Sequence, residues 1–151
     1  MSEVSVQDLG AVDVILTAPD FGAWTLQGYG SNPVSIELKP LDENLYTEAV
    51  GAFGDMLVNK SYKSRNMMLT VRILRKNYWY NQLKKIVALE KTGKSVIMAV
   101  LVRDTNGNEL VACPQGVMKT DPGMEWGSEP EANVEFKFLL PGAIYTPPTI
   151  V

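Results

Sequence analysis

The chain has 151 residues, of which 46% are hydrophobic and 21% charged; 14 lysines and arginines stand against 17 aspartates and glutamates, a net charge of −3. That length suits one domain with a core of its own, and the balance excludes a disordered chain, a collagen and a helical membrane bundle. Histidine is absent, which removes Ser–His–Asp and Cys–His catalysis and zinc–histidine sites from this chain.

In chain order, residues 1–10 are small and polar and read as an arm or a first short strand. They carry neither a basic stretch nor an apolar run, so no export signal is expected. No apolar run reaches 18 residues, so no membrane span is expected either. Ala11–Thr17 reads as a strand ended by Pro19-Asp20, and Gly28–Pro33 as a turn. Val34–Lys39 alternates, with Val34, Ile36 and Leu38 on one side and Ser35, Glu37 and Lys39 on the other.

Asp42–Ser64 holds two glycines, scattered apolar residues and a basic end, and reads as a long, partly extended excursion outside the core. Asn66–Arg75 alternates as a strand. Tyr78–Lys91 has the one helical pattern: Trp79, Leu83, Ile86, Val87 and Glu90 recur at helical spacing, Asn77 stands at the N-cap position and Gly93 at the stop. Ser95–Arg103 is apolar on both faces and reads as a central strand. Asp104–Asn108 carries an Asn-Gly turn signal, and Glu109–Cys113 returns as the hairpin partner. Gly116–Thr120 continues it past a bulge at Pro114. Asn133–Leu140 places Val134, Phe136 and Phe138 inward and Glu135 and Lys137 outward, and 141–151 reads as an extended, proline-bearing tail.

One helix among about seven strands without βαβ alternation predicts a mainly β, single-domain fold: an antiparallel barrel or sandwich with one flanking helix and a long extended loop.

Little in the chain points to chemistry. Gly28–Pro33 (GYGSNP) lacks the third glycine and following helix of a nucleotide fingerprint. The acidic groups Asp42, Glu43, Glu48 and Glu125, Glu129, Glu131 lack calcium-loop spacing. Tyr78, Trp79 and Tyr80 beside Arg72, Arg75 and Lys76 have the mixture that single-strand nucleic-acid binders use, but at a helix start they read as packing anchors. Cys113, the sole cysteine, has no partner for an internal disulfide, suits a reducing compartment and reads as an inert, half-buried thiol. No catalytic residue, metal site or cofactor is expected, and the chain is not read as an enzyme. Unpaired strand edges and long extensions instead point to self-assembly.

Three segments carry a resemblance. Ile36–Gly54 (IELKPLDENLYTEAVGAFG) has an acidic turn, an aromatic-Thr pair and a glycine-bearing hairpin. Lys60–Leu74 (KSYKSRNMMLTVRIL) runs from a basic, Ser-containing stretch into an alternating strand. Val102–Leu139 holds Asp104–Asn108, Val117–Lys119, Asp121-Pro122 and Trp126-Gly127 before a last alternating strand. In this order the chain resembles the tail tube proteins of contractile-tailed bacteriophages, with Trp126-Gly127 standing where Phe-Gly is expected.

The resemblance implies a barrel whose inner strands join those of five other copies around a channel, with rings stacked into a tube that carries the genome into the host. It implies a place in the virion tail, after assembly in the host cytoplasm. The implied partners are further copies of the chain and the sheath, tape-measure and baseplate proteins. DNA passes through the lumen without specific binding, and no membrane is involved. The loop 42–64 would reach the next ring, with Tyr46, Phe53, Met56 and Leu57 as apolar contacts and Glu48, Asp55, Lys60, Lys63 and Arg65 as charged ones. Glu37 and Glu135 are the lumen candidates. Six copies at −3 give a ring of −18, and an acidic duct repels phosphate. The alternatives are the tube of a secretion system or bacteriocin, a small barrel that binds single-stranded nucleic acid, and an enzyme built on carboxylates, Lys or Tyr.

Overall fold

The computed structural model describes residues 12–19, 21–27, 34–61, 65–75, 77–104, 109–123 and 133–147. The expectations placed on 1–10, on Gly28–Pro33, on the Asn-Gly turn, on Trp126-Gly127 and on the glutamates at 125, 129 and 131 lie outside those residues.

The molecule is mainly β. Its strands are β1 (Val12–Ala18), β2 (Gly22–Gln27), β3 (Ser35–Pro40), β4 (Tyr46–Val50), β5 (Met56–Lys60), β6 (Met67–Leu74), β7 (Met98–Asp104), β8 (Glu109–Met118), β9 (Asn133–Leu140) and β10 (Ile144–Thr146), with helix α1 (Tyr78–Lys91) between β6 and β7. Eight strands make one antiparallel sheet in the order β2-β1-β7-β8-β9-β6-β3, with β10 added on β8; β4 and β5 pair only with each other.

The large sheet folds over itself because β8 serves two neighbourhoods. Its first part pairs with β7, and Val117 and Met118 pair with β9. Between them the register slips: Met98 faces Gly116 but Val100 faces Cys113. The extra residue sits at Pro114-Gln115, the bulge expected from the sequence, and a bulge bends its strand and increases its twist. Gly116 is required there, since a Cβ would meet Val100 Cγ2 at 2.7 Å and Leu140 Cδ2 at 3.1 Å. The two ends of the sheet approach each other where the Val34 N–H donates to the Gln27 carbonyl at 3.0 Å, so the sheet wraps toward a barrel with its seam between β2 and β3.

The core fills this wrap. Leu16, Leu26, Leu69, Phe136 and Phe138 are fully buried, joined by Leu83 and Ile86 from α1. The helix forms where the spacing predicts it. The Asn77 side chain accepts the Trp79 N–H, and Lys91 lies in the last turn; Gly93 follows at φ +92°. Glu90, the polar member of the expected apolar stripe, accepts the Val96 N–H through Oε1 at 2.9 Å. Trp79 lies 6.1 Å from Trp24 and Tyr80 meets Phe136 edge-on at 6.2 Å, so these aromatics anchor the helix to the strands.

Three expectations change. No strand was read between Pro19-Asp20 and Gly28–Pro33, yet β2 pairs with β1 there along six residues. β7 is central, between β1 and β8, but only one of its faces is buried: Ile97, just before it, and Ala99 are exposed, and Leu101 is half-buried, because no described element covers that side. Cys113 is buried rather than half-buried, its thiol donating to the Pro141 carbonyl at 3.3 Å.

Candidate assembly surfaces

The excursion 42–64 contains a hairpin held away from the body. At its root the Asn44 N–H donates to Asp42 Oδ1 and the Ser61 N–H to the Leu45 carbonyl; the Leu41 N–H reaches the Asn66 carbonyl at 2.8 Å. β4 and β5 then pair from Tyr46↔Lys60 to Val50↔Met56. At the tip the Gly54 N–H bonds the Gly51 carbonyl, and Gly54 adopts φ +82°, a conformation that favours glycine.

Every residue of both strands is exposed. Directly paired residues share a face, so Tyr46, Val50, Met56 and Val58 lie on one side together with Glu48, opposite Val58, and Lys60, opposite Tyr46. Leu57 lies on the other side with Ala49. Phe53, in the turn, is 95% exposed. A two-stranded hairpin on its own is marginally stable in water, and a contiguous exposed apolar patch marks an interaction site.

Seven of the nine residues expected to contact other subunits lie on this hairpin: Tyr46, Glu48, Phe53, Asp55, Met56, Leu57 and Lys60. Arg65 instead stands at its foot, where its carbonyl accepts the Ala143 N–H, and Lys63 lies outside the described residues. Val50 and Val58 belong to the same face; neither YTEAV nor MLVNK alternates strictly, so the β4–β5 register is what places them together.

The two lumen candidates come together. On the outer side of β3, β6 and β9, Arg72 donates through Nη1 to Glu37 Oε2 at 2.9 Å and through Nε to Glu135 Oε1 at 2.8 Å. Lys39 bonds the second oxygen of Glu37 at 2.9 Å. Neither carboxylate is bare: Arg72 and Lys39 balance Glu37 and Glu135. Glu37 is held below the ordinary carboxylate range by Lys39 and then Arg72. Asp121, beyond β8, is held low by Lys91 and then by the Gly123 N–H.

Depressed carboxyls stabilise the fold fully above the ordinary carboxylate range of about 4 and lose that contribution as pH falls through their lowered values. The urea midpoint is therefore expected to hold between about pH 5 and 8 and to drop on further acidification. The double variant Glu37→Gln/Asp121→Asn should show a shallower acid decline; an unchanged decline would remove both groups from the acid response.

The sheet edges differ in protection. β3 carries Glu37, Lys39 and Pro40, features that discourage strand addition, whereas β2 (GAWTLQ) has no charge and no proline. Among the described residues, no strand pairs with the second edge of β2.

The chain shares its fold with a chain of a baseplate. That chain belongs to the cryo-EM structure of the anti-feeding prophage baseplate, sixfold symmetrised, and matches with a TM-score of 0.53 at 9% identity, over 97% of this chain and 94% of the other. The likeness runs through nearly the whole of both chains rather than one sheet. No family model and no curated protein matches the sequence. Among the described residues no helix is long and apolar enough to cross a membrane, and no three acidic or cysteine side chains gather as a metal cluster would require.

Proposed function

We propose that this chain is a non-catalytic structural subunit of a contractile phage tail or a related contractile injection machine, and that its copies close into sixfold rings that stack as an inner tube. The observation that carries the reading is the hairpin: an apolar, wholly exposed β4–β5 unit on a barrel of the fold found in the anti-feeding prophage baseplate. Exposed apolar strands of this kind need a covering partner, and heterologous contact between identical copies gives rings or stacks. The unprotected β2 edge supplies a second route for a neighbour to add to the sheet.

In this reading the sheath, tape-measure and baseplate proteins are the other partners, and DNA or another cargo passes through the channel. The balanced row of Glu37, Lys39, Arg72 and Glu135 gives such a wall no strong charge of its own, which suits passage without binding. A second reading places the chain at the baseplate end, as a ring that starts a tube without extending it; that the matching chain belongs to a baseplate structure favours it. Sedimentation velocity across a concentration series separates the two. Growth into large, polydisperse species is expected of a tube subunit, a single stable ring of a starter, and a monomer throughout would count against both.

A further inference from the structure

A cavity of about 470 Å³ opens between α1 and residues 119–123. Its apolar lining comes from Tyr80, Val87 and Ala88; among the described residues three cations, Arg75, Lys84 and Lys91, and one carboxylate, Asp121, line it as well. That carboxylate serves two lysines at once: Lys91 pairs with Oδ2, and Lys84 stands 3.8 Å from Oδ1. Lys84 also donates to the Gly123 carbonyl and lies 5.9 Å from the Tyr80 ring centre. Among the described residues the site therefore combines an apolar floor with more positive than negative charge, in a chain whose net charge is −3.

The opposite surface is on the same molecule. From Leu41 to Ser61, the hairpin and its root carry four carboxylates, Asp42, Glu43, Glu48 and Asp55, against one lysine. Phe53, 95% exposed at the tip, has Asp55 two residues away. An aromatic ring beside a carboxylate is the complement of an apolar floor ringed by ammonium groups, and its volume suits a pocket of this class.

We infer that the pocket between α1 and residues 119–123 receives the β4–β5 tip of a second copy, with Phe53 on the apolar floor and Asp55 among the lysines. The contact is heterologous: each copy offers one tip and one pocket, so it propagates from copy to copy. The inference rests on the self-assembly reading above and adds the place where the hairpin lands.

Disulfide trapping in the full chain tests it. Cys113 is buried, so it leaves introduced thiols as the reactive ones. Phe53→Cys mixed with Ala88→Cys should give a covalent dimer under mild oxidation, and the chain carrying both substitutions should give a ladder that reductant collapses. Added Asp55→Lys should cut the dimer yield severalfold, and rising salt should weaken it as screening predicts. Thr17→Cys, exposed on the outer face of β1, is the control partner. Rings or tubes in the wild type with no more trapping at Ala88→Cys than at Thr17→Cys overturn the docking alone. A strictly monomeric wild type with no covalent dimer from either pair overturns the docking and self-assembly together.

Discussion

Replacing Tyr46–Lys60 with two glycines is expected to abolish ring and tube formation while leaving the body folded. The replaced segment forms its own two-stranded sheet, and all ten of its strand residues are exposed. None of its residues belongs to the buried core. The ends to be joined are already close, since the Ser61 N–H bonds the Leu45 carbonyl at 2.9 Å. The body therefore loses almost no buried apolar area, and its thermal midpoint should stay within a few degrees. Assembly loses the exposed apolar residues of the hairpin, so the species that remains in sedimentation should be the monomer. Rings formed by the shortened chain would contradict the role given to the hairpin.

The contrasting substitution is Phe136→Ala. Phe136 is fully buried in the middle of β9, opposite Val71 of β6 and edge-on to Tyr80 of α1. Its removal costs the transfer of a large ring and leaves a cavity under the helix. Such changes cost about 3–5 kcal/mol, against a total of about 5–15 kcal/mol for a domain. The melting temperature should fall by on the order of 10 °C or more, with assembly failing because the monomer no longer persists. Phe53→Ala removes the same ring from an exposed turn and should leave the midpoint within a degree or two while weakening association. Calorimetry on the two variants reads the difference directly; equal losses of stability would contradict the division between core and interface.

How far the sequence showed this follows from how local each signal is. α1 was legible to the residue because its determinants are local: an Asn cap, a 3.6-residue apolar stripe and a terminal glycine. β9 was legible because Val134, Phe136 and Phe138 alternate without interruption. β2 was missed because GAWTLQ, next to a turn, offers only Trp24 and Leu26 as an apolar pair; its conformation is fixed by β1, through six cross-strand partners. The two apolar faces of β7 looked alike in the sequence, and only the layering of the fold covers one and leaves Ala99 open.

The site was partly legible in the same way. Composition and glycine placement located the excursion that contains the exposed hairpin, and alternation set Glu37 and Glu135 outward. Their shared partner was out of reach, since Arg72 lies 35 residues from one and 63 from the other. The pocket between α1 and residues 119–123 joins segments of which only the helix had a periodic signal, so its charge balance emerges only in three dimensions.

The most direct test of the central claim is negative-stain electron microscopy of the purified full-length protein over a range of concentrations, with preformed baseplates added as nuclei in a parallel series. The account predicts hollow sixfold rings, extending into tubes of uniform width on the nuclei. Dispersed monomers at every concentration, with bare baseplates beside them, would contradict it.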